Sequence, residues 1–371
     1  MDIAGFYTQS SVIIVAGKGG VGKTTVSAAM ARTAARTGLS VLIVELEGKS
    51  GLTSALGHPE LLTYDEAVLS PDGAEAPDGG RMAEIRARTL TPDDALLEYL
   101  VDHGLRRVSK RLVNSGALDV VATAVPGIRD ILVLGKVKQL ERAREADLIV
   151  VDAPAAGHAI TFLTSAQGLL DSARGGPIRT QAADVVELLS DGSRCQVVLV
   201  TLAEETPVNE TVETAFKLED RVGTSLGPVI VNGIYPHLDH LEVDPVQAAA
   251  LAGVALGPGE AEALGAAAEF RRRREEVQAE QVRRLEEGLP LPQLWLPNLF
   301  TTEIGLGEID QLADALAAGL ERLPEVMAGP GGRPGSAAGP RGRPGSTAGA
   351  GGQPGSTGGP GGRPKSAESA S

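Results

Sequence analysis

Cysteine is almost absent. Cys195 is the only one in 371 residues, so no disulfide framework can form within the chain, and a reducing compartment is consistent with that usage. Cys195 opens what reads as a buried strand and is expected to act as a small hydrophobe. No apolar run approaches the roughly 18 residues needed to cross a bilayer, and the first ten residues hold no basic region followed by a long apolar stretch. The expectation is a soluble, cytoplasmic chain, peripheral to a membrane only through a partner. A broad basic surface is missing as well. The net charge is −14, and Arg333, Arg341, Arg343, Arg363 and Lys365 against Glu368 give the C-terminal stretch +4, which leaves −18 on the rest. An acidic body argues against nucleic acid as a partner.

From about Ala328 onward the chain is almost entirely Gly, Pro, Ala, Ser, Thr and Arg, with Arg333-Pro334, Arg343-Pro344, Gln353-Pro354 and Arg363-Pro364 recurring every ten residues. Such a sequence has nothing with which to bury a core, and it lacks the every-third glycine of collagen. A disordered tail over 328–371 following one folded domain over 1–327 is the expectation.

Within that domain, short β-branched runs alternate with helical stretches. Residues 11–16, 40–45, 147–151, 196–201, 228–232 and 293–296 are apolar on both faces, as parallel strands covered by helices on either side must be. The fold class is therefore α/β, a mostly parallel open sheet flanked by helices, with ligand sites at the carboxyl ends of the strands. Two segments look inserted into this plan, 93–138, mostly helical, and 161–189. A long helix over about 259–287 carries Arg271 to Arg274 followed by Glu275-Glu276, which reads as a solvated, salt-bridged face.

Between the first strand and a helix starting near Thr24 lies Gly17-Lys18-Gly19-Gly20-Val21-Gly22-Lys23-Thr24-Thr25. Gly17, Gly22, Lys23 and Thr24 satisfy G-x-x-x-x-G-K-[ST], in which glycines let backbone N–H groups wrap a β-phosphate at a helix N-terminus. Lys23 supplies a mobile cation to the β- and γ-phosphates and the Thr24 hydroxyl is placed to ligate Mg²⁺. The expected cofactors are ATP and Mg²⁺. Lys18 is the second lysine of the loop. The pattern K-G-G-x-G-K-[ST] resembles the deviant phosphate loop of dimeric ATPases, in which this lysine crosses to the partner's nucleotide and stabilises charge as an arginine finger does. The competing reading is a solvated loop charge.

Four further strand ends carry candidate chemistry. Asp152 directly follows a buried strand and opens Asp152-Ala153-Pro154-Ala155-Ala156-Gly157-His158, where a Walker B carboxylate for Mg²⁺ belongs; a helix N-cap is the alternative. Glu47, in Glu45-Leu46-Glu47-Gly48-Lys49-Ser50-Gly51-Leu52, is the candidate for positioning or deprotonating the attacking water, with Glu45 as the alternate or as an outer partner for Mg²⁺ that does not ligate it directly. Asn232, before Gly233, offers a donor and an acceptor that match the N6 and N7 edge of adenine, against a purely turn-forming role. Pro297, in Leu296-Pro297-Asn298-Leu299, is a candidate wall of the adenine pocket.

These elements in this order resemble the ArsA-type ATPases, which include arsenical pump-driving ATPases and the guided-entry ATPases for tail-anchored membrane proteins. The resemblance covers roughly residues 10 to 325, and its D-x-A-P-x-x-G-H stretch at Asp152 to His158 is more specific than the phosphate loop. Val44-Glu45-Leu46-Glu47-Gly48, Ala124-Val125-Pro126-Gly127-Ile128-Arg129-Asp130 and Ala173-Arg174-Gly175-Gly176-Pro177 are similar to the actinobacterial subgroup called anion-transporter ATPases, whose genes tend to be adjacent pairs. The resemblance implies a P-loop NTPase fold and a nucleotide-switched dimer, either a homodimer or a heterodimer with a paralogous subunit. A membrane protein or a client polypeptide is the implied partner. The sequence departs from the family at the first switch, where D-P-A-H is replaced by Glu47-Gly48-Lys49-Ser50. The C-x-x-C zinc clamp and the three arsenite cysteines are absent, so with Cys195 alone no zinc, arsenite or iron–sulfur site is expected within one subunit. With only four methionines, a methionine-rich groove for membrane helices is not expected either. The alternatives are a positioning ATPase of the ParA/MinD kind and a nucleotide-binding scaffold with little turnover.

Overall fold

The computed structural model describes residues 2–46, 51–58, 60–102, 104, 107, 127–154 and 156–324. Its central element is a nine-stranded sheet. The strands are β1 (Val12–Gly17), β2 (Val41–Leu46), β3 (Ala67–Ser70), β6 (Ile85–Leu90), β7 (Leu148–Asp152), β8 (Cys195–Leu202), β10 (Val229–Ile234) and β11 (Gln293–Pro297) in the order β11-β10-β8-β1-β7-β2-β6-β3, with the short β9 (Ser225–Leu226) beside β8. All pairings are parallel except that of β3 with β6 at one edge. A separate hairpin pairs β4 (Ala74–Glu75) with β5 (Arg81–Met82). The six strands legible as β-branched runs are six consecutive neighbours, from β11 at one edge through β2. The strand β6 is not legible in this way. Its Arg86 and Arg88 break the apolar pattern and are accommodated by ion pairs to Glu66 at 2.5 and 3.5 Å, which a period-based reading does not anticipate.

Successive side chains of a strand point to opposite faces, and both faces of the central strands are covered. Val12, Ile14, Val151 and Val197 pack under helices α5 (Ile128–Ala143), α6 (Ala156–Ser172), α7 (Pro177–Ser190) and α8 (Glu205–Val222), which contribute Leu134, Leu163, Val185 and Leu218. Ile13, Val15, Ile43 and Val150 pack under α1 (Ile3–Tyr7), α2 (Lys23–Arg36), α3 (Gly51–Ala55) and α11 (Leu306–Glu321). The segment 161–189 is thus helical, and it forms part of the covering layer. Of 93–138, the described parts are α4 (Pro92–Asp102) and the start of α5; the stretch between Gly104 and Gly127 falls almost wholly outside the described residues, as does the tail 328–371. Cys195 is fully buried, and burial above all pushes its thiol up to about 12, so it stays an uncharged packing group at neutral pH. No helix among the described residues is long and apolar enough to cross a membrane.

The helix α2 matters most, because it begins at the glycine-rich loop. It is anchored at its far end by Arg32, which donates through Nε and Nη2 to the two carboxylate oxygens of Asp310 on α11 at 2.7 and 2.8 Å. A bidentate pair this deeply placed holds direction as well as distance, so the loop is carried by a rigid element.

Candidate functional site

The loop leaves β1 at Gly17 and enters α2 through Gly22, the helix N-cap, whose φ of 90° is left-handed. Gly17 is required for space, and Gly22 for its left-handed φ as well as for room beside the Asn232 amide. A Cβ on Gly17 would lie 2.2 Å from the Val200 carbonyl oxygen, and one on Gly22 would lie 2.3 Å from Asn232 Nδ2. The backbone between them is bare, and it opens at a helix N-terminus, where partial positive charge and unpaired N–H groups favour a phosphate. Gly19, Gly20 and Val21 complete the turn, and Thr25 follows in the first turn of α2.

Two residues expected for Mg²⁺ come together. Asp152 ends β7, in register with Val15 on β1 and with Glu45 on β2, and its Oδ2 accepts from Thr24 Oγ1 at 2.7 Å. Ser27, one turn further along α2, donates to Asp152 Oδ1 at 3.4 Å. Ser27 was not anticipated, although position i+3 from Thr24 places it on the same helix face. Glu45 is buried and accepts from Thr89 on β6 at 3.2 Å; Thr89 could not be singled out without the strand that carries it. Glu47 lies outside the described residues. Gly157 and His158 fall in the first turn of α6.

Lys23 is buried, 8% exposed, and donates to the Lys18 carbonyl at 3.1 Å. Lys18 has its side chain on the outer side of the loop, 36% exposed, with Nζ 2.7 Å from Glu210 Oε1 on α8. No sequence signal connects these two, which are 192 residues apart. Asn232, at the end of β10, donates through Nδ2 to the Val21 carbonyl at 3.0 Å, so it braces the loop from the side. Next to it Pro297 ends β11 in register with Ile234. Beyond Pro297 the chain turns at Phe300, whose φ of 52° is unusual for a bulky residue and whose N–H is held by Asn298 Oδ1 at 2.8 Å. The Phe300 ring meets Tyr235 edge-on at 4.9 Å, and the Arg271 guanidinium lies over both rings at 4.8 and 5.0 Å. The segments that follow β10 and β11 thus meet in an aromatic pair capped by a guanidinium from the helix Glu260–Gly288.

Comparison with known proteins places this geometry. The nucleotide-binding domain shared by CobQ, CobB, MinD and ParA matches residues 12–148. The ATPase BagA of Mycobacterium tuberculosis is 34% identical over 323 residues, covering 82% of this chain and 92% of that protein. The ATPase get3 of Schizosaccharomyces japonicus is 29% identical over 156 residues, 42% of this chain and 44% of its own. ATPase ARSA1 of Chlamydomonas reinhardtii is 30% identical over 177 residues, 45% of this chain and 23% of its own. The chain belongs to the ArsA-type family of P-loop ATPases, and it is an ATPase, a nucleotide-binding hydrolase.

Proposed function

We propose that the chain is the catalytic subunit of a nucleotide-switched dimer in which Mg²⁺-dependent ATP hydrolysis is coupled to a membrane-protein, transport or protein-targeting partner. The contact between Thr24 and Asp152 at 2.7 Å, beside a loop whose Gly17 leaves no room for a Cβ, carries this reading. The donors suit the cofactor. Mg²⁺ prefers hard oxygen ligands and keeps several waters, and Thr24 Oγ1 and an Asp152 carboxylate are such ligands. When bound, the metal neutralises charge on the phosphates.

In this reading the N–H groups of Gly19, Gly20, Val21 and Gly22 cradle the phosphates, and Lys23 turns from the Lys18 carbonyl toward them. Asn232 and Pro297 border the base. Lys18 delivers its charge to the second subunit, and Glu47 orients the attacking water. Glu47 is one methylene longer than the aspartate usual in the family, so turnover is the quantity to measure. Phosphate release is expected from the wild type with Mg²⁺, falling about 100-fold or more in Asp152→Asn and in Glu47→Gln, while Glu47→Gln retains ATP binding by equilibrium dialysis. Equal rates in wild type and Glu47→Gln would remove the role given to Glu47. Binding without release in the wild type, alone or paired with a paralogous subunit, would leave a nucleotide-binding scaffold.

A further inference from the structure

We infer that Glu210 is a positioning residue that retains Lys18 on its own subunit and thereby sets the protein concentration at which two copies of this chain close over nucleotide. The inference rests on the reading of Lys18 as a cation delivered in trans. Lys18 is held at two points. Its carbonyl accepts from Lys23 Nζ at 3.1 Å, and its ammonium lies 2.7 Å from Glu210 Oε1. The first hold is lost when Lys23 turns to phosphate, because the ammonium then has a stronger, charged acceptor. The second is untouched by that turn and must be broken separately.

Glu210 is not free to follow Lys18 across. It stands in the second turn of α8, and that end of the helix is tied to α10 (Glu260–Gly288) by Arg274 to Glu204 at 2.6 Å and Arg284 to Asn209 at 3.0 Å. The loop is equally fixed, since β1 and β8 are paired in register from Val12 to Gly17. The distance between Lys18 Cα and the Glu210 helix is therefore set by the fold, and only the lysine's flexible stem can change partner. Exposure decides how strong such a hold is. With side chains 36% and 40% exposed, the pair is solvated and biases an equilibrium by up to about fivefold. A symmetric dimer breaks two, for a combined bias of up to about 25-fold. That is enough to keep the subunits apart at low concentration and too little to lock them.

The test is sedimentation velocity of the full chain with Mg²⁺ and a non-hydrolysable ATP analogue across a concentration series, for wild type, Glu210→Gln, Lys18→Ala and the double variant. Glu210→Gln should dimerise with a dissociation constant about 3- to 20-fold lower than wild type, and its ATP turnover should reach the same plateau per dimer at lower protein concentration. In the Lys18→Ala background Glu210→Gln should change nothing, and a merely structural surface pair would not tighten dimerisation in Glu210→Gln alone. If Lys18→Ala weakens dimerisation but Glu210→Gln leaves it as in wild type, the retaining role of Glu210 is wrong and the role of Lys18 stands. If Lys18→Ala dimerises as tightly as wild type, the role of Lys18 falls and this inference with it. Wild type and Glu210→Gln that both remain monomeric at every concentration also overturn it.

Discussion

The two lysines of one loop, five positions apart, sit in opposite physical settings. Lys23 is buried at the start of α2, and its neighbour Thr24 donates to Asp152, which is itself 5% exposed and wedged between strands in register. Lys18 points outward to a half-exposed glutamate on another helix. The first setting is part of the hydrophobic frame and cannot be altered without disturbing the sheet. The second is a surface pair that water, salt or a neighbouring subunit can replace. Nucleotide binding is thus built into what is rigid, and the contact proposed to report on a second subunit is built into what is soft.

This contrast is sharpest at Gly17. Replacing it with alanine places a methyl 2.2 Å from the Val200 carbonyl, and relieving that overlap requires β1 and β8 to part. A loss of about 2–3 kcal/mol in urea unfolding is expected, together with loss of nucleotide binding. A Gly17→Ala protein of wild-type stability would show that β1 and β8 part at little cost and that the frame is soft. Asn232→Ala removes the brace on the Val21 carbonyl at 3.0 Å. The expected cost is about 1 kcal/mol, with weaker nucleotide binding by calorimetry.

The smallest effect is expected at the exposed pair of His237 and Glu275, 3.0 Å apart. The hydrogen bond to Glu275 raises the His237 pKa above its ordinary value. The sign follows from linkage. A raised folded value means that the pair's stabilisation is fully present below the unfolded pKa of about 6.5 and is lost as pH rises through the folded one. An NMR titration should place His237 above the ordinary value, and Glu275→Gln should lower it toward that value, with Asp239 at 3.4 Å keeping part of the shift, and with little change in overall stability. A large loss of stability in that variant would erase the distinction between rigid and soft contacts.

Much of the fold could be read directly from the chain because its central strands are buried on both faces. Residues 11–16, 40–45, 147–151 and 196–201 have to be apolar throughout, and β1, β2, β7 and β8 match them to within a residue or two. Strand β6, between β2 and the edge strand β3, resisted such reading. It carries Arg86 and Arg88, whose charges are satisfied by Glu66, the residue just before β3. The site divides in the same way. Lys23 and Thr24 are bound to a local motif, whose spacing is dictated by wrapping backbone around a phosphate. Ser27 follows from helical periodicity once Asp152 is placed against Thr24. Glu210 follows from nothing local.

By itself the sequence determined the α/β class, the phosphate loop, the strand-end carboxylate Asp152 and the ArsA-type family. Each of these rests on short-range pattern, either strand burial or the steric demands of a tight turn. Tertiary structure alone decided that Asp152 meets both Thr24 and Ser27, that Asn232 braces Val21 and that Lys18 is held by Glu210. Those contacts join residues more than a hundred positions apart. They exist because parallel strands with long helical crossovers bring their carboxyl ends to one edge, a consequence of sheet order that no local spacing encodes.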